Sequence, residues 1–437
     1  MTVLTIGSTK RLHGKVRVPG DKSISHRAIM LAALATGRSL IGNFLVSEDC
    51  LRTVACIRNL GINVEVENDT VSVCGRGLDG LTEPEDVLDA GNSGTTMRLI
   101  AGILAGQNFS TVLTGDASLR RRPMGRITKP LQLMGAKIIG RQSGSLAPLA
   151  IEGGKLKPID YQTEVASAQL KSAILLAGLF CEGWTEVVEP AKSRDHTELM
   201  LKAFGAPVEI DGLKVRVRGR HELRACELAV PGDLSSAAFI MVAACIVPEA
   251  RVVIESVGLN PTRSGIVDIL SLMGANITIV NQRESMGELV GDLIVESSRL
   301  SGVTISGELV VRAIDEIPVV AAAAAVAEGT TEIRDAAELK VKESNRIAAI
   351  TGELRKLGAE AYELADGLKI VGGKPLTGTV VDSHQDHRIA LALAVMALAA
   401  KGTTQIMGAE CLAVSYPGFP QTLAELGGVV IESGSEV

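Results

Sequence analysis

Lys22, Ser23, Ser25 and Arg27 crowd the segment "PGDKSISHR", directly before the apolar run "AIMLAALATG". A cation in the first turn of a helix opposes the helix dipole, while the unpaired N–H groups of that turn attract anions. Lys22 and Arg27 are therefore better explained by a bound anion than by helix stability. Similar polar openings, "DAGNSGTTMR", "SAQLKS", "DEIP" and "QDHR", precede further apolar runs. More basic residues lie in "LRRRPMGR", "SRDHTE", "NPTR" and "LKVKESNR". Several helix starts converging with Lys and Arg beside them would hold a multiply anionic small ligand. Asp315 in "RAIDEIP" and Glu343 beside Lys342 are the candidate acid and base.

Each feature also has a plainer reading. Ser235, Ser236 and Thr96 read as ordinary N-caps, and Asp315 can be one. The arginine run around Pro123 can be a solvated loop. Lys342 and Arg346, four apart, would share one face of a helix, as in a surface ion-pair helix. His384 and His387 have no matching third ligand, so a hydrogen-bonded structural role is preferred and no metal is expected. Neither GxxxxGK[ST] nor GxGxxG occurs in a strand-turn-helix setting, which leaves nucleotide binding without support.

The elements that must position these residues repeat along the chain. A Leu-rich stretch ending in Gly, followed by alternating strand-like residues, occurs six times, as in "CIRNLGINVEV" and "TLAELGGVVIE". Its glycine falls at 61, 135, 205, 274, 358 and 427. Before each copy comes a second signature: polar residues, small apolar residues, usually a Gly, then a β-branched strand. Each repeat of about 70 residues thus predicts a buried helix closed in most copies by a C-cap Gly, an amphipathic helix and several strands. "VPGDKSIS" at 18–25 is echoed by "VPGDLSSA" at 230–237, so the six units divide into two halves of three and predict two similar α/β domains.

Composition agrees with that plan. A chain of 437 residues suggests two or three domains. With 46% hydrophobic but only 2% aromatic residues, the core must be Ala, Val, Ile and Leu on close-set backbones. The net charge of −6 gives no chain-wide attraction to nucleic acid or to an anionic membrane. Seven scattered cysteines without a CxxC pair suit a reduced, cytoplasmic protein. The first 20 residues lack an apolar leader, and the longest apolar stretches fall short of the ~20 residues of a membrane span.

Taken together, "GDKSISHRA", "GNSGTTMR", "RRPMGR", "SAQLKSA", "RDHTE", "NPTR", "DEIPVVA", "VKESNR" and "DHRIA" resemble, in order and over essentially the whole chain, the enolpyruvyl transferases, on the branch that acts on shikimate 3-phosphate. The resemblance implies a two-domain inside-out α/β barrel of six βαβαββ units, three per domain. One domain would take residues 1–20 with 229–437, the other 21–228. It implies transfer of the enolpyruvyl group of phosphoenolpyruvate to the 5-hydroxyl of shikimate 3-phosphate, with release of phosphate, by addition–elimination and without a cofactor. It also implies a monomer inhibited by glyphosate.

Carried over by residue, Lys22, Ser23, Arg27, Ser167, Ala168, Gln169, Arg194, Asp315 and Lys342 resemble the shikimate-phosphate site. Lys22, Asn92, Gly94, Arg122, Gln169, Arg346 and Arg388 resemble the phosphoenolpyruvate site. Asp315 resembles the base for the hydroxyl, and Glu343 the group exchanging protons at the methylene, with Lys22 assisting. Two positions depart from the common pattern. Ala168 stands where many members have a second Ser, which shifts a phosphate contact to backbone or to Ser167. Val414 stands where some carry a late Lys. These features resemble the class II subgroup, often glyphosate-tolerant, whereas Gly94 is typical of sensitive members; intermediate tolerance is expected. The related transferase acting on UDP-N-acetylglucosamine uses a reactive Cys in the loop before the Arg-Pro pair, and "GDASLRRRPMG" has none. A non-catalytic homologue is the other alternative.

Overall fold

The segment "IPVVAAAAAV" is apolar around its whole circumference, so as a helix it can only lie inside a core. In the computed structural model, which describes residues 2–433, it forms helix Ile317–Val326 with every residue from Ile317 to Ala325 buried. Five further helices are buried almost throughout: Lys22–Leu34, Gly94–Ala105, Ala168–Gly178, Leu234–Ile246 and His387–Ala399. Their small residues let backbones approach closely. A Cβ on Gly102 would stand 2.3 Å from the Ala173 carbonyl oxygen, so the two helices meet there only because position 102 has no side chain.

The chain divides into two compact units. One holds the residues up to Pro19, Pro231–Arg283 and everything from Leu289; the other holds Gly20–Val230 with Glu284–Glu288. Each unit has its own apolar core. In the first, helices Leu234–Ile246, Ile317–Val326 and His387–Ala399 pack on one another and on three sheets. In the second, helices Lys22–Leu34, Gly94–Ala105 and Ala168–Gly178 take the same part with the other three. Helices thus occupy each core and sheets flank them. Every sheet joins parallel to antiparallel pairing, for example Leu88–Asp89 parallel to Ser110–Thr114, then antiparallel Leu146–Glu152 and Lys137–Gly140. The N-terminal segment supplies strands to two sheets: Val3–Gly7 pairs with Thr403–Met407, and Arg11–Val16 with Glu249–Gly258.

The expected glycine caps lie on the other helix of each repeat. Gly61, Gly135, Gly205, Gly274, Gly358 and Gly427 all have φ between 83° and 112°. Each follows the C-cap residue of an amphipathic helix, such as Leu60 after Glu48–Asn59 or Leu357 after Arg346–Lys356. This is the left-handed position that favours glycine. Four buried helices instead end on Ala35, Val247, Ala327 and Ala400 in extended backbone, because the chain runs almost directly into a strand. Gly106 alone among those predicted caps a buried helix, in right-handed geometry.

Candidate active site

Many of the predicted functional residues sit at the starts of the buried helices, with Arg122, Arg194, Lys342, Glu343 and Arg346 on neighbouring turns and helix starts, and each unit holds its own set. In the unit containing Lys22, Asp21 caps the first helix by accepting from the Ile24 N–H at 2.9 Å. Lys22 follows, with Nζ 3.2 Å from Asp49 Oδ2. That carboxylate, absent from the sequence expectations, offsets charge assigned there to a ligand alone. Ser25 is structural, since its hydroxyl accepts from the Leu45 N–H at 3.1 Å. Arg27 is buried: Nε donates to Thr197 Oγ1 at 2.7 Å, Nη2 to Ser172 Oγ at 2.8 Å and Nη1 to the Ser23 carbonyl at 2.9 Å. Burial draws its pKa down to about 10, so it remains charged at neutral pH.

The helix starting at Gly94 is capped by Ser93, which accepts from the Thr96 N–H at 3.2 Å. Thr96, expected as a cap, is instead a link in a buried chain. His26 Nδ1 lies 2.7 Å from Thr53 Oγ1, which lies 2.7 Å from Thr96 Oγ1, which donates to Ser93 Oγ at 2.8 Å. Two helix starts are therefore tied together inside the unit. The third joins through Gln169, whose Oε1 accepts from Arg98 at 2.8 Å and whose amide donates to Thr95 Oγ1 at 3.1 Å. Ser167 caps its own helix, with Ala168 as first helical residue. Asn92 accepts from Arg122 Nη2 at 2.6 Å and donates to Asp116 at 2.6 Å. Arg194 lies near enough to Arg27 for its charge to lower that group's proton affinity. Lys22, Arg27, Arg98, Arg122 and Arg194 make these three helix starts a place for anions. Arg98 was missed; its position four residues after Gly94 was the available signal.

Burial dominates the titration of His26 and lowers its pKa to about 3; Asp49 opposes this, and Lys22 and Arg27 add to it. The folded chain thus keeps the ring neutral, while the unfolded chain protonates it near 6.5. Stability from this group is complete above pH 6.5 and is lost as pH falls from there towards 3, at about 1.4 kcal/mol per pH unit. Between pH 7 and 4.5 the wild type should lose about 2–3 kcal/mol more than His26→Asn, read by urea unfolding. Equal losses would exclude the neutral buried ring.

In the other unit, Asp315 does not cap a helix. Its Oδ1 lies 3.5 Å from Arg346 Nη1 and 3.8 Å from Lys342 Nζ. Arg346, with its side chain 1% exposed, donates Nε to Asp386 Oδ2 at 2.8 Å and Nη2 to Glu343 Oε2 at 2.5 Å. Burial alone would lower its pKa, but Glu343, Asp386 and Asp315 more than reverse that and hold it above the ordinary arginine value. Burial likewise opposes the charge on Asp386, and Arg346 overcomes it, keeping that carboxyl below its usual range. Arg388 donates to the Asp315 carbonyl at 3.0 Å and lies 3.6 Å from Glu316 Oε1.

Three sequence expectations are corrected here. Lys342 and Arg346 do not share a helix: Lys342 is extended after a 3₁₀ turn, and the helix begins at Arg346 behind the Asn345 cap. The pair still meets through Asp315, because the turn folds Lys342 back. Asp233, not Ser235 or Ser236, caps helix Leu234–Ile246, freeing the Ser235 hydroxyl to donate to Glu316. Asp386, which has no role in the sequence reading of "QDHR", caps helix His387–Ala399 and anchors Arg346. Among the described residues no group of three or more His, Cys, Asp or Glu could hold a metal ion. No described helix is long and apolar enough to cross a membrane.

Two sets of helix starts, one rich in cations and one pairing carboxylates with buried arginine, suit an enzyme that joins two anionic substrates with proton transfer. The chain belongs to the EPSP synthase (3-phosphoshikimate 1-carboxyvinyltransferase) family, whose model matches residues 6–423. It is 58% identical to 3-phosphoshikimate 1-carboxyvinyltransferase of Pelotomaculum thermopropionicum, over 97% of this chain and 98% of that one. Identity to the same enzyme of Desulforamulus reducens is 56%, over 97% and 99% of the two chains. The solved EPSP synthase of Acinetobacter baumannii superposes with a TM-score of 0.92 at 44% identity, covering 99% of this chain and all of that one.

Proposed function

We propose that this protein transfers the 1-carboxyvinyl group of phosphoenolpyruvate to the 5-hydroxyl of shikimate 3-phosphate, as a cytoplasmic monomer without a cofactor. The observation that carries the reading is the cluster of Asp315, Lys342 and Glu343 around buried Arg346, which holds two carboxylates beside two cations in one unit. A carboxylate so placed can take the hydroxyl proton while cations hold the substrates' negative charge. Ser23, Arg27, Ser167, Ala168, Gln169, Arg194, Asp315 and Lys342 serve the shikimate ester, with Lys22. Lys22, Asn92, Gly94, Arg122, Gln169, Arg346 and Arg388 serve phosphoenolpyruvate. Glu343, with Lys22 assisting, delivers a proton to the methylene carbon; the hydroxyl oxygen then bonds to the adjacent carbon as Asp315 takes its proton. Loss of phosphate and return of a methyl proton to the Glu343 carboxylate restore the double bond.

Phosphate release from the purified protein tests this directly. Release with phosphoenolpyruvate plus shikimate 3-phosphate, and not with UDP-N-acetylglucosamine, is the expected result. Release only with the sugar nucleotide would favour the rival transferase, and release with neither would favour a binding homologue.

Gly94 supplies a second check. A Cβ there would lie 2.6 Å from Arg98 Nη1 and 3.7 Å from Arg122 Nη1, displacing the end of a flexible side chain rather than backbone. Gly94→Ala should therefore fold normally, raise KM for phosphoenolpyruvate several-fold and weaken glyphosate inhibition by more. Unchanged inhibition would separate Gly94 from the inhibitor's position.

A further inference from the structure

Lys171, Glu189 and Glu198 form a buried ionic cluster that the reaction above does not use. Their side chains are 1%, 2% and 1% exposed. The ammonium group donates to Glu189 Oε2 at 2.7 Å and to the Ser193 carbonyl at 3.5 Å, and forms an ion pair with Glu198 Oε1 at 2.7 Å. Burial opposes the charge on Lys171, but the two glutamates outweigh it and raise its pKa. Such a cluster is poorly explained by stability. Desolvating the charges is costly, and apolar residues of similar size commonly fold at least as well.

What the cluster does hold is backbone. Glu189 Oε1 accepts from the Ser167 N–H at 3.3 Å, and Oε2 accepts from the Ser193 N–H at 3.4 Å. One carboxylate thus grips the residue capping helix Ala168–Gly178 and the residue preceding Arg194. Ser172, which follows Lys171, and Thr197, which precedes Glu198, make a second rung: Ser172 Oγ lies 2.6 Å from Thr197 Oγ1, and both accept from Arg27. Lys171 with Glu198, and Ser172 with Thr197, are adjacent pairs, so the rungs set the separation of helices Ala168–Gly178 and His196–Ala203.

We propose that Lys171 and Glu189 are positioning residues for the phosphate group of shikimate 3-phosphate, acting by holding the backbones that present the Ser167 hydroxyl and the Arg194 guanidinium. The proposal rests on the substrate reading given above. Glu189 touches no substrate; it acts through the Ser167 and Ser193 amides. In Glu189→Gln one carboxylate oxygen becomes an amide nitrogen, which cannot accept from either an N–H or the Lys171 ammonium.

The test is a comparison of both Michaelis constants, with shikimate 3-phosphate affinity measured by calorimetry. Glu189→Gln should raise KM and Kd for shikimate 3-phosphate about tenfold while KM for phosphoenolpyruvate changes less than twofold. A merely structural role would lower the melting temperature or active fraction without separating the two substrates. Because the single variant leaves Lys171 and Glu198 with altered partners, the apolar triple variant Lys171→Met, Glu189→Leu, Glu198→Leu provides a second arm. It should fold and show the same separation. A folded variant that binds shikimate 3-phosphate within twofold of wild type, or that weakens both substrates equally, overturns the proposal while wild-type turnover keeps the substrate reading intact. A wild type that neither turns over nor binds shikimate 3-phosphate overturns both.

Discussion

Asp315→Asn should lower kcat by about 10²–10⁴-fold, the usual contribution of a positioned general base, while leaving the protein folded. The amide keeps the size and planarity of the carboxylate and one oxygen facing Lys342 and Arg346, 3.8 and 3.5 Å away in the wild type. It cannot take up a proton from the substrate hydroxyl. The loss should therefore fall on kcat more than on KM for phosphoenolpyruvate. Asp315 is not needed as a helix cap, because helix Ile317–Val326 starts from Glu316 without a side-chain cap bond. A melting temperature close to wild type is expected. Steady-state phosphate release beside circular dichroism decides the matter, and a kcat within threefold of wild type would remove Asp315 from proton transfer.

The helices were easier to read than their contacts. An all-apolar run such as "IPVVAAAAAV" has one physical solution, burial, and an LG doublet after an amphipathic run marks a left-handed C′ position. Both signals are local, so both survive in a bare sequence. The ion-pair partners are not local. Asp49 reaches Lys22 across 27 positions and Asp386 reaches Arg346 across 40, and neither carboxylate stands out in its own segment. The same applies to Lys171, which reads as one polar residue in "SAQLKSA" until Glu189 and Glu198 are brought against it. The caps expected on the buried helices hold only for Gly106, because a Gly near a helix end looks alike whether it ends the helix or opens the following strand. The backbone of the preceding cap residue distinguishes them: Gly329 and Gly402 are left-handed like Gly358, but they lie two residues beyond helix caps that are themselves extended.

The largest effect on stability should come from Arg346→Met. Methionine has a similar reach but no charge, and it would leave Asp386, 0% exposed, without the guanidinium that now donates to both its oxygens. Removing one partner of a buried pair typically costs about 3–5 kcal/mol, since the remaining charge stays desolvated. Glu343 would lose its 2.5 Å contact as well. The pH dependence follows from the same charges. In the wild type, Arg346 holds Asp386 below the ordinary carboxyl pKa, so this contribution is present above the unfolded value and is lost as pH falls through the folded one. In the variant burial is opposed only by His387 and by the hydrogen bonds from Ser344 Oγ and the Arg388 N–H, so the folded pKa rises. The penalty for losing Arg346 is then largest at pH values where Asp386 is ionised and smaller where it is protonated. Arg346→Met should therefore be destabilised more at pH 8 than at pH 4.5, measured by urea unfolding of both proteins at both values. An equal deficit at the two values would mean that Asp386 finds another cation, and a deficit below about 0.5 kcal/mol, the scale of an ordinary surface substitution, would mean that the buried cluster does not depend on Arg346.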